Sequence, residues 1–262
     1  MLSYQHSYHA GCLADVHKHA ALSLILAQLV EKDKPLTYIE THAGRGLYNL
    51  QSVEAQKTEE AAHGIIPLLA KNKIPKSHPY FQAIEATQKK YGKTAYPGSP
   101  LIAQNFLRKD DRLFLMDLHP QEYSALVKNT HNHNTKCRQK DGYTEALAIS
   151  PPLIRRGLVL IDPSYEIKTG YEQAANFILE LYKKWSVATI LLWYPILEDN
   201  RHNKMCRILE EANLPKFWKQ DVYFPNNSFY RAKGTGLICI NTPFGLEHDL
   251  DTISKIVSNC VK

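Results

Sequence analysis

Disulfide chemistry has little to work with in this chain. Its five cysteines (Cys12, Cys137, Cys206, Cys239 and Cys260) are odd in number, scattered, and never in a C-x-x-C pair. That spacing argues against a disulfide framework or a cysteine zinc site, and it fits a reducing cytoplasm. Long hydrophobic runs are missing too. The longest mostly apolar stretch, VATILLWYPIL from Val187 to Leu197, is too short to cross a bilayer. The opening residues, MLSYQHSYHAG, have neither the basic flank nor the apolar core of a secretion signal. There is no internal repeat, no low-complexity tract, and no linker that would separate two independent domains. A soluble cytoplasmic protein is expected.

What is present is an ordinary globular composition in 262 residues, enough for one large α/β domain or one domain with an insertion. The net charge of +6, from 32 lysines and arginines against 26 aspartates and glutamates, leans mildly toward a polyanionic partner. Short apolar runs alternate with helical patterns. Leu36–Gly44, Arg112–Pro120, Gly157–Tyr165 and Val187–Ile196 are apolar almost throughout, as parallel strands covered on both faces are. Helical patterns such as Gln121–Asn129 and Tyr171–Trp185 lie between them. Lys216–Phe224 and Gly234–Phe244 read as two further strands whose short connection requires an antiparallel hairpin at the sheet edge. The expected fold is a doubly wound α/β sheet with an antiparallel edge. Gln51 to Gly98 breaks the rhythm: it shows helix-like stretches near Lys57–Lys71 and His78–Tyr91 and no convincing strand. The expected division is a main domain of residues 1–50 and 99–262, with a helical insertion at 51–98.

In open sheets of this kind, ligands bind at the carboxyl ends of the strands beside the topological switch point. The first such end carries Glu40-Thr41-His42-Ala43-Gly44-Arg45-Gly46. Its Gly-x-Gly lets backbone approach a ligand, but the third glycine of a dinucleotide fingerprint is missing. The second carries Asp117-Leu118-His119-Pro120, where an acid can accept from ribose hydroxyls or cap a helix. Asp141-Gly142 precedes the next strand and reads as a turn when taken alone. Together the three suggest an adenosine-bearing cofactor.

The third strand ends in Asp162-Pro163-Ser164-Tyr165. An aromatic exocyclic amine is a poor nucleophile, because its lone pair is delocalised into the ring. Two acceptors aimed at its hydrogens can fix its line of attack on an electrophilic methyl. The Asp162 carboxylate and the Pro163 carbonyl are candidates, and Tyr165 offers a flat face for a flipped base. The plainer alternative is a strand-to-loop turn with a core tyrosine. At the amino terminus, His6, His9, His17, Lys18 and His19 surround the expected helix start near Ala14 or Asp15. Solvated histidines and a metal site are both readings of this stretch. Against metal, His17 and His19 point to different sides of a helix and no His-Glu-x-x-His pattern occurs. Asn241-Thr242-Pro243-Phe244 resembles an amine-binding element, but it follows the last strand, expected to be the antiparallel edge strand away from the switch point, and reads as a loop exit.

Several of these segments form a motif series: SYxHxxHAGxxADVxKH at the amino terminus, THAGxG after the first strand, PGSP at Pro97–Pro100, DLHP at Asp117, IDPSYE at Ile161 and LWYP at Leu192–Pro195. The series resembles that of the bacterial 23S ribosomal RNA (adenine-N6) methyltransferase J family over nearly the whole chain. The resemblance implies a class I methyltransferase, Rossmann-like, that uses S-adenosylmethionine. It places His19, His42 and Ser99 around the cofactor and Asp117 on its ribose, where the family often carries the longer glutamate. It places Asp141 and Gly142 at the cofactor adenine, and Asp162 at both cofactor and target amine. Tyr4, His6 and Lys18 match positions that close over the cofactor or meet RNA. The family carries a second proline where this chain has Ser164. The partner implied is 23S ribosomal RNA, met before assembly, by a monomer needing no metal and no membrane. Rival readings are a DNA adenine-N6 methyltransferase, a non-catalytic RNA-binding protein on the same fold, and a nicotinamide-dependent dehydrogenase.

Overall fold

The computed structural model describes residues 5–132, 134–224 and 232–258. A 3-10 turn (His6–Tyr8) leads into α1 (Leu13–Glu31), β1 (Thr37–Glu40), β2 (Leu47–Asn49) and α2 (Val53–Thr58). A second 3-10 turn (Glu60–His63) precedes α3 (Ile65–Ala70), α4 (Pro79–Tyr91), β3 (Ala95–Pro97) and α5 (Ser99–Phe106). The chain then alternates: β4 (Arg112–Met116), α6 (Pro120–Asn129), β5 (Thr135–Arg138), α7 (Gly142–Ile149), β6 (Gly157–Ile161), α8 (Gly170–Lys184), β7 (Thr189–Ile196) and α9 (His202–Glu211). It closes with β8 (Trp218–Tyr223), β9 (Gly234–Ile240) and α10 (Glu247–Ser258).

Seven strands form one sheet in the order β5-β4-β1-β6-β7-β9-β8. The first five are parallel; β9 runs antiparallel to both β7 and β8. Strand β1 pairs with β4 on one side and β6 on the other, so the chain reverses direction of travel between β1 and β6. The continuous apolar runs are explained by burial on both faces. Along β6, Leu158 and Leu160 join one core cluster with α1 and α4, while Val159 and Ile161 join a second cluster with α8 and α9. In β1, Tyr38 and Ile39 divide in the same way. Successive side chains point to opposite faces, and here both faces are covered.

Two expectations are corrected. The segment 51–98 does contain a strand, β3, which pairs antiparallel with β2 in a separate two-stranded ribbon. Three residues including Pro97 leave too little periodicity to signal it. The second correction concerns the edge: β9 lies inside the sheet, and β8 is the outer strand. Asn241, just past β9, donates to the carbonyls of Ser186 and Ala188 at 2.8 Å, tying the loop to the start of β7. The Asn241–Phe244 element therefore sits at the opposite end of the sheet from the switch point, as a loop exit. Residues of the 51–98 segment, including Ile65, Leu68, Tyr80 and Ile84, share the core cluster of α1. Among the described residues no helix is long and apolar enough to cross a membrane.

Candidate active site

The loops after β1, β4, β6 and β7 open at one end of the sheet, and α1 brings the amino-terminal motif against them. Two clefts result, and Asp162 borders both. The first is lined by His6, Lys18, His19, His42, Gly44, Ser99 and Asp117, with Ser164 at its margin. The second is lined by Pro163, Ser164, Tyr165, Trp193, Pro195 and Leu197. Most of the expected site residues thus meet in one place.

In the first cleft, Asp117 follows β4 directly. Its Oδ2 accepts from the Gly44 backbone N–H at 2.8 Å and its Oδ1 from that of His119 at 2.9 Å. Each carboxylate oxygen keeps a further lone pair for a ligand hydroxyl. Burial raises the Asp117 carboxyl above its ordinary range. Gly44 has a φ of 59°, and a Cβ there would meet the Tyr48 hydroxyl oxygen at 2.5 Å. Only glycine suits that turn. Ser99 begins α5 and donates its hydroxyl to Glu40, whose other oxygen accepts from Tyr38 at 2.8 Å. Burial pushes the Glu40 carboxyl up to about 8. Burial also brings His19 down to about 3 and His42 down to about 4, so both rings are neutral near pH 7. His19 Nδ1 lies 3.0 Å from the Tyr96 hydroxyl, and His42 Nδ1 lies 2.8 Å from Thr41 Oγ1.

Between the clefts runs a chain of charges. Lys18 Nζ is 2.6 Å from Asp162 Oδ2 and 3.1 Å from Asp15 Oδ1. Asp15 Oδ2 in turn meets His6 Nε2 and the Gly11 N–H, both at 2.9 Å. Helical spacing explains half of this: Asp15, Lys18 and His19 stand at i, i+3 and i+4 on one face of α1. Burial opposes the Lys18 charge, but Asp162 and Asp15 outweigh it and hold the ammonium well above its ordinary value. Among the described residues Asp162 Oδ1 has no hydrogen bond, which leaves that oxygen for a ligand.

Asp141 and Gly142 stand apart from the lining of both clefts. Asp141 caps α7, its Oδ1 accepting from Thr144 N–H at 2.8 Å. A Cβ on Gly142 would stand 1.8 Å from the Thr41 carbonyl oxygen, so glycine lets α7 press against the end of β1. The link to the first cleft is indirect: Tyr143 meets the His42 ring edge-on at 5.2 Å. Tyr4 lies outside the described residues. The solvated reading of the amino-terminal histidines does not hold for His17 and His19, which are buried. Asp15, Glu40 and Trp193 also belong to this region. Asp15 stands at helical spacing from Lys18 and His19, while Glu40 and Trp193 fall in the strand-end and LWYP segments without a role of their own being assigned.

The strand order, with both clefts at the carboxyl ends beside the switch point, defines a class I methyltransferase fold. Comparison with known proteins narrows this. The family described as "Ribosomal RNA large subunit methyltransferase D, RlmJ" matches residues 33–261. "Ribosomal RNA large subunit methyltransferase J" of Escherichia coli strain K12 is 37% identical over 257 residues, covering 97% of this chain and 91% of the relative. The protein of the same name from Haemophilus influenzae is also 37% identical, with 97% and 92% covered. The crystal structure of protein LPL1258 from Legionella pneumophila superposes with a TM-score of 0.87 at 35% identity, covering 97% of this chain and 94% of that one. The chain belongs to the RlmJ family of ribosomal RNA large-subunit methyltransferases.

Proposed function

We propose that the protein methylates the N6 amino group of an adenine in 23S ribosomal RNA with S-adenosylmethionine, acting as a cytoplasmic monomer on RNA not yet assembled. The observation that carries the chemistry is the position of Asp162 on the boundary between a polar cleft and an apolar one. The donor set of the polar cleft suits the cofactor: the Asp117 carboxylate for ribose hydroxyls, and a glycine turn at Gly44 where backbone can approach closely. His19, His42 and Ser99 line the same cleft, and Asp141 and Gly142, outside its lining, are the residues we assign to the cofactor adenine. When bound, the cofactor supplies an electrophilic methyl group on a sulfonium.

The chain's own residues do the rest. Asp162 Oδ1 and the Pro163 carbonyl accept the two amino hydrogens of a base that has left its stack, drawing the nitrogen lone pair out of conjugation. Lys18 holds Asp162 through Oδ2 and so fixes the direction of Oδ1. Tyr165 borders the apolar cleft, where an unstacked base is sheltered from water. Formation of the new N–C bond would be matched by cleavage of the methyl C–S bond of the bound cofactor, whose sulfur would keep the electron pair. The surplus amino proton then leaves by way of the acceptors. His6 and Lys18 border the cofactor cleft on the amino-terminal side. We read residues 51–98 as an insertion into the methyltransferase domain that buttresses α1.

Labelled cofactor offered with unmodified 23S RNA and, separately, with duplex DNA tests this. Transfer to RNA is expected. Transfer to DNA alone would overturn it.

A further inference from the structure

Tyr48 lines the cofactor cleft and also a second, polar cavity of about 360 Å³ that the methyl-transfer chemistry does not use. The walls of this cavity come from the start of the chain, the β2–β3 ribbon and the end of α6. The first 3-10 turn and the residue after it divide among the cavities. His6 borders the cofactor cleft, Ser7 this cavity, and His9 the cleft beyond Asp162. The turn is held in place: the Thr58 hydroxyl donates to the Tyr8 carbonyl, and His6 Nε2 meets Asp15 Oδ2 at 2.9 Å.

Four side chains at the cavity have hydrogen-bond donors left unused. Ser7 is 4% exposed, and its buried hydroxyl has no partner among the described residues. Leaving a buried hydroxyl unpaired costs free energy, and one step about χ1 swings Oγ to another staggered position. Lys128, in the last turn of α6, makes no hydrogen bond or ion pair among the described residues. Arg45 gives Nε and Nη2 to Glu122 at 3.0 and 2.5 Å, which leaves its Nη1. Asn49 Oδ1 accepts from the Gln51 N–H at 3.0 Å, which leaves its amide nitrogen. No carboxylate lines the cavity. Arg45 is balanced by Glu122 and, further off, by Glu54, so Lys128 is the uncompensated charge. Lys90 adds a cation nearby, its Nζ 4.9 Å from the centre of the Tyr91 ring in the cavity wall. Unused donors gathered around an unpaired ammonium suit the oxygens of a phosphate group.

We propose that this cavity holds a backbone phosphate of the substrate RNA, gripped by Ser7 Oγ, Arg45 Nη1 and Lys128 Nζ, while the target base is held at Asp162. This rests on the RNA-methylating function proposed above and adds a contact to the strand outside the target base. A phosphate contact fixes the register of a strand without reading its sequence. The turn that carries Ser7 is followed directly by His9, so a strand lying along it reaches both the cavity and the cleft beyond Asp162.

The test is equilibrium binding of unmodified 23S RNA by the full-length protein and two variants at several salt concentrations. Calorimetry with S-adenosylmethionine and urea unfolding accompany it. Lys128→Gln should reduce the slope of log K against log salt by about 0.7–0.9, the share of one phosphate, and weaken binding about five- to eightfold at about 0.1 M salt. Ser7→Ala should weaken RNA binding about 10- to 150-fold with the slope unchanged, as loss of a hydrogen bond to a charged group does. Its urea midpoint should equal or exceed that of the parent, because the hydroxyl has no partner in the empty protein. Cofactor affinity should stay within about twofold in both variants. An unchanged slope in Lys128→Gln, or an unchanged RNA affinity or lower urea midpoint in Ser7→Ala, would overturn the proposal while leaving the function standing. If the parent protein itself transfers no methyl to RNA, function and proposal fall together.

Discussion

Lys18 and Asp162, 144 residues apart in the chain, meet with Nζ 2.6 Å from Oδ2. The lysine is 4% exposed and also holds Asp15, itself 1% exposed. Removing one member of a buried ion pair leaves an uncompensated charge, which costs about 3–5 kcal/mol. Lys18→Met leaves two carboxylates without their cation, so urea unfolding should show a loss of about that size. Methyl transfer should fall as well, because Asp162 loses its anchor. A variant as stable and as active as the parent would show that the ammonium holds nothing.

Glu40 carries a distinct pH signature. Its folded value of about 8 stands above the ordinary glutamate value, so the folded protein keeps a proton that the unfolded chain releases. The stabilisation is complete below about pH 4.3 and is lost as pH rises toward about 8, at up to about 1.4 kcal/mol per pH unit. Glu40→Gln, neutral throughout, should flatten this part of the profile and gain on the parent as pH rises from 5 to 8. Urea midpoints across that range measure it; parallel curves would contradict it.

Asp117→Asn should weaken cofactor binding by about 10- to 150-fold, the cost of losing charge-assisted hydrogen bonds. Overall stability should fall by about 1–3 kcal/mol, because the asparagine oxygen can accept from only one of the two backbone N–H groups and the other is left facing the amide NH2. Calorimetry with S-adenosylmethionine reads the affinity directly.

Ser164 is exposed and borders both clefts. A proline there would restrict Pro163 to extended conformations and keep its carbonyl aimed. Ser164→Pro should therefore preserve or raise kcat in the RNA assay. A loss of tenfold or more would mean that the serine N–H or hydroxyl has work of its own.

Much of this architecture is legible in the chain because its signals are local. Gly157–Ile161 is apolar at every position, and that alone indicates a strand buried on both faces. The acids at 117 and 162 are conspicuous because they follow such runs. Trp193 stands in the LWYP motif, but its bond to Thr235, 42 residues further on, has no local signal. Glu40 hid for a similar reason: a strand-end glutamate takes its character from the burial that Tyr38 and Ser99 complete. Strand β3 was missed because three residues carry no period. The helical spacing of Asp15, Lys18 and His19 was readable, but the partner across the sheet, Asp162, was not.

The central claim, that Asp162 directs methylation of an adenine in 23S RNA, is tested most directly by nucleoside mass spectrometry of 23S RNA from a strain lacking this protein. The expected result is the loss of one N6-methyladenosine, restored by the parent gene and not by Asp162→Asn. Unchanged N6-methyladenosine in the deletion strain, or full restoration by Asp162→Asn, would contradict it.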